Sequence, residues 1–166
     1  RNRHLPRLAV LTLETRVEYV DETELEFIAR ALREGETPTR LELAIGLEAF
    51  DDRIRNAVFQ KGLELARLET LCAQLARHGF ELKCYLMQKP VPDMSDADAI
   101  LDVERAIDYL SQLAARQRLR MNLHLNPTYA AAGTPLAQAL REGRFTPPTL
   151  RDVDRDRPPA ADNWLG

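Results

Sequence analysis

Four times in succession this chain writes an extended apolar stretch followed by an amphipathic helix, an order that few folds accept. The stretches run from Arg7 to Leu13, through Thr39–Ala49, from Glu81 to Gln88 and from Met121 to Leu125. The first helix opens at Asp21-Glu-Thr-Glu24, where an acid and a second acid three positions on have the spacing of a capping box, and carries Leu25, Ile28, Ala29 and Leu32 before Gly35. Asp51 to Val58 reads as a short helix. A longer one follows, with Leu65, Leu68, Leu71, Cys72 and Leu75 on one stripe and a stop at His78-Gly79. Ser95 and Asp98 open the next, whose apolar residues are Ile100, Val103, Ile107, Leu110 and Leu113. Gly133-Thr-Pro135 reads as a helix start rather than a phosphate loop, and that last helix ends at Gly143. Strands joined through helices pair in parallel by right-handed crossovers, so the expected class is α/β with four parallel βα units.

The second stretch says more. Leu41, Leu43, Ile45 and Leu47 fall on one face of a strand, and Arg40, Glu42, Ala44, Gly46 and Glu48 on the other. A parallel strand covered by helices on both sides is apolar throughout. One apolar face and one carrying two carboxylates instead predicts a sheet whose second face looks into a cleft or a barrel lumen, where a ligand would sit.

In such sheets the functional end is the carboxyl end of the strands. There the four stretches deliver Glu14-Thr15-Arg16, Gly46-Leu47-Glu48, Gln88-Lys89-Pro90 and Asn126-Pro127-Thr128. By the same period of two, Glu14 shares a face with Thr12, Lys89 with Lys83 and Tyr85, and Asn126 with Asn122 and His124. Carboxylates there suit ribose hydroxyls or an ammonium group, and a lysine suits a carboxylate or phosphate. Any one charged strand end reads first as a solvated or locally paired group, and four coincident ends weaken that reading. Glu42 lies deeper, where pairing with Arg40 or Lys83 is an equal reading. His124 reads first as a hydrogen-bonded interior histidine, and Cys84 and Cys72 as small core residues.

With 166 residues, 45% of them hydrophobic, the chain can bury one continuous core; residues 1–150 are expected to form it and 151–166, charged and proline-rich, to be a flexible tail or linker that includes Trp164. A formal charge of −3 exerts no global pull on nucleic acid or anionic membrane. No apolar run reaches the roughly 20 residues of a spanning helix, so the expected setting is cytoplasmic, away from membranes. Two isolated cysteines suit neither a disulfide framework nor a zinc site, and no metal ligands are assigned. The sequence starts Arg1-Asn-Arg-His4 without methionine, which suits a piece of something longer.

At the strand ends the sequence takes on a family likeness. Leu13-Glu-Thr-Arg16 resembles the "ETRP" strand end of radical S-adenosylmethionine (SAM) enzymes in the group holding the Elongator catalytic subunit and the archaeosine synthase radical-SAM subunit. Leu41 to Glu48 resembles their next strand, Gln60-Lys-Gly62 their "NKG" turn, Tyr85 to Pro90 their "YLLLKP", and Leu125-Asn-Pro127 with Gly133-Thr134 their last motif; order and spacing agree from Leu8 to Leu150. The sequence departs at Val17, where the family has proline, and at Gln60, where it has asparagine. The resemblance implies a partial TIM-type barrel, the last four βα units of a (β/α)6 radical-SAM fold. It places Glu14 and Glu48 at positions that bind the SAM ribose, Lys61 near its carboxylate and Asn126 beside its adenine. Lys89 joins them from the strand-end argument. The family's [4Fe-4S] cluster sits on a three-cysteine loop in earlier βα units, and two isolated cysteines cannot replace that loop; the cluster is expected only in a complete protein with the N-terminal half of the barrel. That protein would cleave SAM to a 5′-deoxyadenosyl radical and act on a substrate such as a tRNA base. Two other readings stand beside it: a non-catalytic half-barrel binding or scaffold module, and a barrel enzyme using Glu14 and Glu48 as acid and base.

Overall fold

In the computed structural model of the protein, residues 8–34 and 39–149 are described. The expected tail at 151–166, Trp164 and the stop at Gly35 lie outside them. Strands β1 (Val10–Thr15), β2 (Arg40–Glu48), β3 (Glu81–Gln88) and β4 (Met121–Pro127) form one four-stranded sheet in the order β1-β2-β3-β4. Helices α1 (Glu22–Glu34), α2 (Leu65–His78) and α3 (Asp96–Gln117) lie between them in sequence, and α4 (Pro135–Arg141) follows β4. β1 and β2 pair in parallel, with Leu11 opposite Leu41, Leu13 opposite Leu43 and Glu14 opposite Ala44. The class is α/β with a parallel sheet.

The helix ends form where local chemistry calls for them. Asp21 and Glu24 satisfy each other's amides, Asp21 N donating to Glu24 Oε2 at 2.7 Å and Glu24 N to Asp21 Oδ1 at 3.0 Å. Ser95 Oγ accepts from Asp98 N at 3.1 Å before α3, and Thr134 Oγ1 from Ala137 N at 3.2 Å before α4, with Pro135 at the first helical position. α2 ends at Gly79, whose φ of 69° lets Phe80 N reach back to the Leu75 carbonyl at 2.9 Å.

Exposure alternates along β1, β3 and β4, whereas β2 is buried without a break from Leu41 to Ile45, Glu42 and Ala44 of its second face included. Leu41, Leu43, Ile45 and Leu47 of β2 and Leu82, Cys84 and Leu86 of β3 are buried, as are Leu25, Leu68, Leu71, Cys72, Leu75, Leu110 and Leu113 of the helices. On the other register Thr12 and Glu14 of β1 and Asn122, His124 and Asn126 of β4 are exposed, and Lys83 and Tyr85 of β3 half-buried.

The chain divides into two compact units. The first takes the residues up to Gly46 with Leu63–Cys84 and Leu110–Leu123, hence β1, α1, α2 and the first parts of β2, β3 and β4; the second takes Leu47–Gly62, Tyr85–Tyr109 and the residues from His124, hence the last parts of those three strands and the segments that follow them. In the first, Glu42 is buried: Thr12 donates to its Oε1 at 2.9 Å, Asn122 donates to its Oε2, and Lys83 Nζ stands 3.9 Å from Oε1. Of the two partners expected for Glu42, Lys83 is there and Arg40 is not. Arg40 pairs with Glu81 at 2.7 Å, which also takes Arg120 at 3.2 Å.

Several expectations need correction. β1 spans Val10–Thr15 rather than 7–13, because the backbone ladder with β2 continues past the last apolar residue. β4 runs on through Pro127, so Asn126 lies within it. Residues Arg53–Val58 form a π-helical turn, not an ordinary short helix: Phe59 N bonds to the Ile54 carbonyl five residues back, at 3.0 Å. The buried stripe of α3 is Ala99, Val103, Ala106, Leu110 and Leu113, with Ile100 and Ile107 at its margins. His124 is exposed rather than interior and packs edge-on against Tyr85.

Candidate functional site

The second unit holds the carboxyl ends of β2, β3 and β4, and there the backbone is unusual. Glu48 closes β2 with φ 67°, Lys89 follows β3 with φ 53°, and Gln60 has φ 52° beside Lys61 and Gly62. Non-glycine residues in this region cost about 1–3 kcal/mol each and persist only where the surroundings over-determine them. The period of two fails at Glu48 and Lys89 for this reason, since a left-handed residue turns its side chain off the pleat.

Glu48 sits at the centre of a three-residue turn in which Ala49 N donates to the Leu47 carbonyl at 2.9 Å, the rare positive-φ form of the γ-turn. Its carboxylate meets Lys61, with Nζ 2.9 Å from Oε1 and both side chains about one-fifth exposed. Between them lies Arg55, 2% exposed, whose guanidinium donates to the carbonyls of Ala49 (3.2 Å) and Phe50 (2.7 Å) and to Asp52 Oδ1 (2.8 Å). The Arg55 carbonyl in turn accepts from Lys61 N at 3.1 Å. One buried residue thus ties the Glu48 turn to the Lys61 turn.

From α3, Asp102 completes the frame. Its Oδ2 accepts from Phe50 N at 2.9 Å and its Oδ1 from Asp51 N at 2.6 Å, while Asp51 Oδ1 accepts from Ile54 N at 2.9 Å. Burial pushes the Asp102 carboxyl above the ordinary aspartate range, against the opposing pull of those two amides. Phe50 also rests against Tyr109, ring centroids 5.5 Å apart.

The sequence-predicted residues fare differently. Glu48 and Lys61 are brought into contact. Lys89 is buried and already engaged: Nζ donates to Asp96 Oδ1 at 2.6 Å and stands 5.7 Å from the Phe145 ring centre. Asn126 is exposed on β4. Glu14 belongs to the first unit, exposed and level with Ala44, four residues before Glu48 along β2. Arg55 and Asp102 were not singled out by sequence, and Thr128 only as the last of the residues at the end of β4. Asp102 left a readable trace, a carboxylate at the spacing of the Ala99, Val103 and Ala106 stripe, whereas Arg55 looks like any surface arginine. Thr128 is buried, with no hydrogen-bond partner for its Oγ1 among the described residues.

Chemically, a fixed carboxylate beside a fixed ammonium suits a ligand carrying a vicinal diol and an acid. The ion pair engages Oε1 of Glu48, and a carboxylate presents a second oxygen to a hydroxyl. A [4Fe-4S] cluster is not fitted by the described residues: Cys72 and Cys84 are buried, burial pushes the Cys72 thiol up to about 12, and no group of three or more His, Cys, Asp or Glu among the described residues is placed to hold a metal ion.

No family model matches the chain. Among curated proteins it is 28% identical over 148 residues to archaeosine synthase subunit beta of Methanosarcina acetivorans, covering 89% of this chain and 40% of that protein. It is 21% identical over 146 residues to an uncharacterized protein of Methanocaldococcus jannaschii, covering 88% of this chain and 37% of that one. The chain spans about two fifths of the length of these relatives. No helix among the described residues is long and apolar enough to cross a membrane.

Proposed function

We propose that this chain is the C-terminal part of a radical-SAM barrel that takes part in RNA modification, with Glu48 binding the SAM ribose and Lys61 the SAM carboxylate. The observation that carries this reading is the similarity to archaeosine synthase subunit beta along 148 residues, which points to the same enzyme group as the strand-end motifs. The geometry supports the residue roles. Glu48 and Lys61 stand side by side on turns held by buried Arg55, so an acceptor and a cation are ready before ligand arrives. Asn126 offers an amide for the adenine edge; Lys89 joins only by leaving Asp96. The cluster, and the electron it supplies, belong on this reading to sequence outside the described residues, as does the N-terminal half of the barrel. The relative's description as a subunit further suggests work in a complex with tRNA as substrate.

The test is SAM titration into the full-length protein and its Glu48→Ala variant. A charge-assisted hydrogen bond contributes roughly 1.5–3 kcal/mol, so the variant is expected to raise the dissociation constant about ten- to hundredfold with iron content unchanged. Equal affinity in both proteins would remove Glu48 from the site. The absence of SAM binding by the full-length protein would favour a scaffold module, a reading that the two buried thiols also suit.

A further inference from the structure

Asp102 is costly where it stands. Ala99, Val103, Ala106, Leu110 and Leu113 make the rest of its stripe on α3 apolar, and an alanine or leucine at position 102 would continue that stripe without desolvating a charge. Its two oxygens are spent on two successive amides, Phe50 N and Asp51 N, directly after the strained turn at Glu48. From the other side Arg55 holds the carbonyls of Ala49 and Phe50. Donors and acceptors of residues 49–51 are therefore pinned from both directions, and the residue whose conformation this fixes is Glu48.

We infer that Asp102 is a positioning residue for Glu48: by accepting the Phe50 and Asp51 amides it holds the β2 turn in its left-handed form and keeps the Glu48 carboxylate aimed for ligand. The inference rests on the proposed SAM site and adds a residue that never touches the ligand. Without Asp102 the two amides turn to water, and Glu48 is released to relax toward an extended φ. Ligand binding must then restore the turn, which weakens affinity only through Glu48.

That dependence is what separates positioning from general support of the fold, and a double-mutant cycle reads it. SAM affinity is measured for the full-length protein, Asp102→Asn, Glu48→Ala and the double variant, together with amide exchange at Phe50 and Asp51. Asparagine keeps the shape but offers one acceptor where the carboxylate offered two. Asp102→Asn is expected to raise the dissociation constant about tenfold when Glu48 is present, to leave it unchanged when Glu48 is already alanine, and to speed exchange at both amides. Arg55→Lys, which attacks the same turn through its carbonyls, is expected to give the same Glu48-dependent loss and stands in should Asp102→Asn fail to fold. An equal loss in both backgrounds, or no loss from either variant while Glu48→Ala weakens binding, overturns the inference alone. If the unaltered protein takes up no SAM, or Glu48→Ala binds as well as it does, the proposed site falls and the inference falls with it.

Discussion

Glu42 and Glu48 stand six residues apart on one strand and show what a single residue's surroundings decide. Glu42 is buried in the first unit among Thr12, Asn122 and Lys83, one group from each of the other three strands. Its oxygens are already occupied by protein, which makes it a residue of the fold. Removing it takes the acceptor from Thr12 and Asn122, which stand exposed on their strands and turn to water instead, and the loss of such hydrogen bonds costs about 0.5–1.5 kcal/mol. Glu42→Ala is therefore expected to lower stability by that amount in urea unfolding of the full-length protein, and Glu42→Gln, which keeps an acceptor and the volume, by less. A Glu42→Ala protein as stable as the parent would show that the network contributes nothing net. The alternation of β2 was enough to put Glu42 on the polar face, but its partners come from 30, 41 and 80 positions away in sequence, and no local pattern names them. The same holds for Arg55, whose burial follows from a π-helical turn that the run Arg53–Val58 does not announce.

Among the elements, those with signals inside their own sequence were legible. The capping box at Asp21 and Glu24, the glycine stop of α2 and the Thr134-Pro135 start of α4 all form as read, because each motif satisfies backbone groups within a few residues of itself. The limits of β1 and β4 were misjudged by two or three residues, since strand length is set by a neighbour's ladder rather than by the strand's own apolar run. How α1 meets α2 was likewise out of reach. Glu22 in the first turn of α1 accepts from Arg77 at 2.6 Å and lies 2.8 Å from His78 Nε2 in the last turn of α2. The hydrogen bond from His78, then the hydrogen bond and charge of Arg77, hold the Glu22 carboxyl below the ordinary 4.5. A carboxyl with a depressed folded pKa stabilises above its unfolded pKa and loses that contribution as pH falls through the folded value. Glu22→Gln should therefore unfold at lower denaturant than the parent at neutral pH, with the two curves converging as pH drops below 4.5. A gap that stays constant from neutral pH to well below 4.5 would place the effect in something other than this titration.

At the scale of the whole molecule, the thiols decide whether this chain can hold an iron–sulfur cluster by itself. A four-iron cluster needs several thiolates converging on one point, and the chain has two cysteines. Both are buried in the first unit, one on α2 and one on β3, while the Glu48 and Lys61 turns belong to the second. The Cys72 thiol, with a pKa near 12, stays protonated at neutral pH and is a poor iron ligand. Anaerobic reconstitution of the 166-residue chain with iron and sulfide is therefore expected to yield no stoichiometric cluster; on the proposed reading, a longer protein that brings a cysteine triplet yields one. The same experiment discriminates the two readings of the molecule. A cluster in the full-length protein, together with a SAM affinity that depends on Glu48, makes this chain the cofactor-binding part of a radical enzyme. A cluster formed by the 166 residues alone would mean that Cys72 and Cys84 of separate copies come together, which requires both cores to open and would overturn the placement of the site at the β2 turn.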